Sequence, residues 1–188
     1  MLTRLISVLV LLLVAACGGA GPVRYAAPEV PVQARVSIPH RTVAVREVSL
    51  PSYATEEIIA VADGKGGIRE SADKIWADDP TRAVTLEVTS ALGMITGRTV
   101  AADPWPFRDD PDAVVDIRLE EFVADERGAF TARGQFYIAH SDENRRDRSQ
   151  RFRIVERFDP EGGFPAIAAA RSRAVNALAL RVARDGLR

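Results

Sequence analysis

The sequence predicts an α/β fold in which two helices pack on one face of a mixed, mostly antiparallel sheet. Three features carry this. Short segments that alternate apolar and polar residues recur between clusters of Gly, Pro and Asp. Asp79-Pro80 opens a stretch whose apolar residues return at helical spacing. The chain closes on a second, Ala-rich run with the same period.

The elements follow in order. Thr42 to Val48 alternates and reads as a strand, stopped by Leu50-Pro51-Ser52-Tyr53, where Pro51 lacks a donor. Glu57 to Ala62 is a second strand, turned by Asp63-Gly64-Lys65-Gly66-Gly67, with Ile68 to Ser71 as its hairpin partner. Asp79 caps a helix that runs to Gly97, with Val84, Val88, Ala91, Leu92 and Ile95 as its buried stripe. Arg98 to Ala102 is the next strand, ended by Asp103-Pro104-Trp105-Pro106. Val114 to Glu121, Phe130 to Ala139 and Gln150 to Phe158 are joined by short turns, so they should pair antiparallel in sequence order. A helix from Phe164 to about Arg184 buries Ile167, Ala170, Ala174, Leu178 and Val182.

The N-terminus is of another kind. Arg4 precedes the apolar region Leu5 to Ala16, which is too short for a comfortable span of about 20 residues. Val14-Ala15-Ala16-Cys17 resembles the lipobox of bacterial lipoproteins, with Val14 replacing the more usual Leu. Residues 1–16 are then a signal peptide, and residues 17–39 a lipidated N-terminus and tether rich in Gly and Pro. Residues 40–188 form a single α/β domain. In the tether, Val30, Val32 and Val36 are candidates for an edge strand. Cys17 is the only cysteine, so lipidation leaves no thiol for a disulfide. A formal net charge of −1 gives no general attraction to nucleic acid.

No catalytic constellation assembles from the sequence. His40 and His140 read as isolated surface residues, and neither HExxH nor a GxSxG elbow occurs. Gly64-Lys65-Gly66-Gly67 lacks the phosphate-loop spacing and reads as a turn. Glu120 and Glu121 are adjacent in a strand and should point to opposite faces. The run Arg145, Arg146, Arg148, Arg151 and Arg153 reads as a solvated hairpin, or as a contact for lipid headgroups or a partner protein. No catalytic residue, metal or cofactor is expected. Tyr53, Trp76, Trp105 and Phe107 fall in or beside Pro- and Asp-rich connections, where they either plug the core ends or anchor an interface.

From Thr42 onward the chain resembles the auxiliary lipoprotein of the paraquat-inducible (Pqi) and related MCE or ABC-type intermembrane transport systems. The motif is Val45-Arg46-Glu47-Val48-Ser49-Leu50-Pro51-Ser52-Tyr53, a strand followed by Leu-Pro-x-Tyr. Ile58-Ile59-Ala60-Val61, Trp76-Ala77-Asp78-Asp79-Pro80 and Val115 to Phe122 follow in the family's order, closed by the Ala-rich helix. Ala54-Thr55-Glu56-Glu57 departs from the Arg and Pro-Gln that usually follow the Tyr. The resemblance implies a non-catalytic envelope subunit. Its partners would be a periplasmic MCE-domain protein and, through it, an inner-membrane permease and ATPase. Phospholipid or another apolar molecule would be the cargo, and self-association is compatible with the role. Gly18 after Cys17 resembles sorting to the outer membrane, facing the periplasm. Leu50, Pro51, Tyr53, Trp76 and Trp105 are then the candidate partner interface. The other reading is a structural or assembly lipoprotein that binds an envelope protein without transport.

Overall fold

The computed structural model describes residues 21–32 and 34–188; the expected signal peptide and Cys17 lie outside them. Among the described residues, eight strands form one sheet: β1 (Val23–Tyr25), β2 (Thr42–Val45), β3 (Ile58–Ala62), β4 (Ile68–Trp76), β5 (Thr99–Ala102), β6 (Ala113–Asp125), β7 (Ala129–His140) and β8 (Arg148–Arg157). The helices are α1 (Pro80–Thr96) and α2 (Gly163–Arg181), the latter extended by a wide turn over Val182–Gly186.

β6 organises the sheet because it is longer than its neighbours. Along one edge, Ala113–Val115 pair in parallel with β2, and Ala124–Asp125 pair in parallel with β3. Its other edge takes β7 antiparallel, and β8 follows antiparallel on β7. β5 runs parallel to β2, β4 antiparallel to β3, and β1 parallel to β4. Four of the seven pairings are parallel, so the sheet is mixed rather than mostly antiparallel. The physical reason is that short links force antiparallel neighbours, whereas parallel neighbours are joined by long crossovers that leave no local signature. The sheet curls into a half-barrel around one core.

The Asp79-Pro80 start is confirmed in detail. The Asp79 carboxylate accepts from the Arg82 amide (2.7 Å), and Gly97 ends α1 in the left-handed region at φ +65°. Val84, Val88, Leu92 and Ile95 bury the expected stripe. Both helices contribute to the core with Val45, Ile117, Phe136 and Ile138 from the sheet. Each such large side chain contributes roughly 1.5–3 kcal/mol by leaving water. At the far end, Gly186 packs so closely on Phe136 and Ile138 that a Cβ there would lie 2.9 Å from the Phe136 ring.

Several strand limits differ from expectation. Regular pairing of β2 stops at Val45, yet the chain still follows β6: Ser49 N donates to Ile117 O (3.0 Å) and Leu119 N to Ser49 O (2.8 Å). Between them the Val48 amide turns inward and donates to the Thr85 hydroxyl of α1 (2.9 Å). β4 runs to Trp76 because β1 pairs along its second edge, Tyr25 facing Trp76. The leader's strand is therefore Val23–Tyr25, not the later valines. Val36 and Ile38 enter the core instead, and Val36 N donates to Ile95 O (3.0 Å).

Candidate partner site at the Tyr53 end of the sheet

The Leu50-Pro51 segment leads into a single helical turn, Ser52–Ala54, closed by Ala54 N on Pro51 O (2.8 Å). This turn swings the Tyr53 ring against the edge of β6. β6 carries a bulge between Leu119 and Glu121, which takes the strand out of regular register. The bulge falls between the part of β6 that follows Ser49 and the part that pairs with β3. The Phe122 amide in that gap donates to the Tyr53 hydroxyl (3.2 Å). Tyr53 thus completes a sheet edge where no strand does.

Beneath it lies a small cavity of about 20 Å³ bordered by Tyr53, Trp76, Phe122, Phe130 and Arg171. Arg171, on α2, is 2% exposed. Its guanidinium lies over the Trp76 ring (4.9 Å) and near Phe122 (5.9 Å), and donates to Glu87 of α1 (2.9 Å). Cation–π contact and an ion pair together hold a charge that burial alone would expel. Arg171 Nε and Glu87 Oε2 have no hydrogen-bond partner among the described residues. Trp76 ends β4 and so is positioned by a strand, not a loop. On its outer side is a hollow of about 270 Å³ with Tyr25, Leu86 and Glu87. A neighbouring hollow of about 320 Å³ continues past Leu86 to Met94 and Val175.

The five candidate interface residues do not form one patch. Leu50 is buried in the core, Pro51 is half-buried, and Tyr53 and Trp76 border the same cavity. Trp105 makes its contacts inside its own loop, donating to Asp109 O (2.7 Å) with its ring edge-on to Phe107 (5.0 Å).

Two other clusters were not foreseen. His40 is buried, not a surface residue; its Nε2 lies 2.9 Å from Nδ1 of His140, and the rings stack. Both sit at the same end of the strands flanking β6, since Val43 and His140 both pair with Ala113. Burial is the largest cause that pushes both imidazoles below their ordinary pKa. The like charge of the neighbouring ring and Arg145 act in the same direction on His40, against Asp112. The second cluster corrects the expectation for Glu120 and Glu121. Because the bulge removes strict alternation, both carboxylates reach one guanidinium, Arg133, with Nε to Glu121 at 3.0 Å.

The glycine-rich segment is a plain turn. The Asp63 carboxylate accepts from Lys65 N (2.8 Å) and Gly67 N (2.9 Å), and these bonds hold it below the usual carboxylate range. Among the described residues, no three His, Cys, Asp or Glu are grouped to hold a metal ion, and no helix is long and apolar enough to cross a membrane.

The described residues thus form a curled mixed sheet packed with two helices, with polar clusters engaged in structural pairs and aromatic rings at one end. The chain belongs to the family described as ABC-type transport auxiliary lipoprotein component, whose family model matches residues 25–183. That family makes it a membrane-anchored envelope protein. Two solved structures share the fold. One is a crystal structure of an uncharacterised protein, 13% identical with a TM-score of 0.71, matching 88% of this chain and 99% of that one. The other is a Xanthomonas campestris protein of family DUF330, 20% identical with a TM-score of 0.62, matching 87% and 91%. Among curated proteins no sequence matches the chain.

Proposed function

We propose that this protein is a non-catalytic outer-membrane lipoprotein subunit, similar to the paraquat-inducible (Pqi) auxiliary lipoprotein, that docks the periplasmic conduit of an MCE/ABC-type intermembrane lipid transport system. The observation that carries the reading is the family match over residues 25–183, which spans nearly all of the described domain. The lipobox-like Val14 to Cys17 supports attachment through lipid at Cys17. The use of its titratable clusters supports a binding role: Glu120 and Glu121 are committed to Arg133, Asp63 to turn amides, and His40 to His140. The adjoining hollows beside Trp76 and Leu86 offer apolar surface for a partner or for part of a lipid cargo. Native extraction of the lipidated protein followed by affinity purification tests the assignment. Co-purification of an MCE-domain protein, with its permease and ATPase, is the expected result; recovery of the protein free of any MCE partner overturns the docking role.

A further inference from the structure

The function above leaves one charged surface without a role. Among the described residues, β8 is an edge strand paired only with β7. Its alternation turns Phe152 and Ile154 inward and leaves Arg151, Arg153, Val155 and Arg157 exposed on the outer face. Among the described residues, Arg151, Arg153 and Arg157 make no ion pair with an acid. The acids nearby are already engaged: Glu120 and Glu121 by Arg133, Asp116 by Arg46 and Arg118, and Glu156 by Arg173. Arg153 stands directly across from Arg133 in the β7–β8 register, an arrangement of like charges that destabilises a sheet. Beside this pair is a shallow hollow of about 450 Å³ bordered by Arg133, Arg151, Arg153 and Glu120, and by Arg181 of α2, which is itself paired with Asp185 (3.4 Å).

Edge protection against aggregation explains the presence of charge on β8, but it does not require cations opposite one another. A whole-chain formal charge of −1 makes the concentration of arginines here a local feature, not a reflection of composition. We propose that the outer face of β7 and β8 lies against an anionic phospholipid surface, with the arginine-bordered hollow seating phosphate headgroups. Guanidinium forks match phosphate oxygens in two-point bonds. A membrane is the anionic surface always within reach of a lipid-anchored protein. A few basic side chains add about 1 kcal/mol each near such a surface, too little to recruit a free protein but enough to orient one already tethered.

Amide exchange tests this in the mature lipidated chain, reconstituted in nanodiscs of phosphatidylcholine with or without phosphatidylglycerol. Anionic discs should slow exchange across 148–157 by about threefold or more relative to neutral discs, and high salt should remove the difference. The double variant Arg151→Glu/Arg153→Glu should abolish the protection, while Arg108→Glu, a charge reversal in the Trp105 loop, should preserve it. Slow exchange within β6 in each variant verifies that the fold persists. Equal exchange in both discs, or protection that survives charge reversal, overturns the proposal. Protection by inorganic phosphate alone overturns the membrane source, and protection that appears only on adding an MCE protein assigns the face to an acidic partner. The discs contain no MCE protein, so failure here and failure of conduit docking are read separately.

Discussion

The Tyr53 hydroxyl accepts the Phe122 amide at 3.2 Å, standing in for a strand at the point where the β6 bulge interrupts the ladder. A residue of the Leu-Pro-x-Tyr motif thereby closes the domain, whatever it also offers to a partner. Tyr53→Phe keeps the ring and orphans one amide, and should lower stability by about 1 kcal/mol. Tyr53→Ala also empties the ring's place beside Phe122 and should cost about 2–3 kcal/mol. Denaturant midpoints check both. Equal stability of Tyr53→Ala and wild type would return this side chain to a purely interfacial role.

Gly134 is fixed by the same bulge seen from the opposite strand. A Cβ at this position would fall 2.9 Å from Leu119 Cα and well inside van der Waals contact distance of the Arg118 carbonyl oxygen. Both obstacles are backbone, so no rotamer change relieves them. Gly134→Ala should lose about 3 kcal/mol, at the upper end of overpacking, with the loss read as a lowered urea midpoint at unchanged slope.

The histidine pair predicts a pH dependence. His40 and His140 are held below their ordinary pKa, chiefly by burial, so the unfolded chain binds more protons than the native one just below about pH 6.5. Stability is therefore full above that value and falls as pH drops toward the folded-state pKa. Arg145 and Arg148 oppose protonation of His140 while Asp142 and Asp147 favour it; Asp112 favours protonation of His40. Asp112 itself is held below the usual carboxylate range by the Arg41 and Thr42 amides and does not titrate in this window. Melting temperature should fall between pH 7.5 and 5.5, and His40→Phe should flatten that slope. A wild-type melting temperature constant over the same range would contradict the pair's role.

The legibility of this fold follows the range of its interactions. The α1 cap, the turn at Asp63 and the succession β6, β7, β8 are set by residues close in sequence, and all were readable there. The bulge was not, because Leu119-Glu120-Glu121-Phe122 has no glycine to announce it; the enabling glycine, Gly134, belongs to the facing strand. His40 and His140 are 100 residues apart and meet only because β2 and β7 flank β6 at the same level. Trp76 looked like a loop aromatic because β1, which extends β4 to reach it, comes from a Pro-rich leader with weak strand signals. Of the interface candidates, Tyr53 and Trp76 converge on one cavity, an adjacency that their separation by a hairpin had hidden.

That cavity also sets the last expectation. Arg171 and Glu87 tie α2 to α1 through a buried guanidinium stacked on Trp76. Arg171→Met removes the cation and leaves a partly buried carboxylate without its partner, which should cost about 2–3 kcal/mol after allowing for the partial exposure of Glu87. Glu87→Leu strands the more deeply buried charge and should cost at least as much. The double variant Arg171→Met/Glu87→Leu leaves neither charge, while the introduced thioether can still pack on Trp76 through a sulfur–aromatic contact. It should recover half or more of the larger single loss. A double-mutant cycle in urea measures the coupling. If the single losses simply add, the pair contributes nothing as a pair, and the aromatic stacking on Trp76 is what retains the arginine.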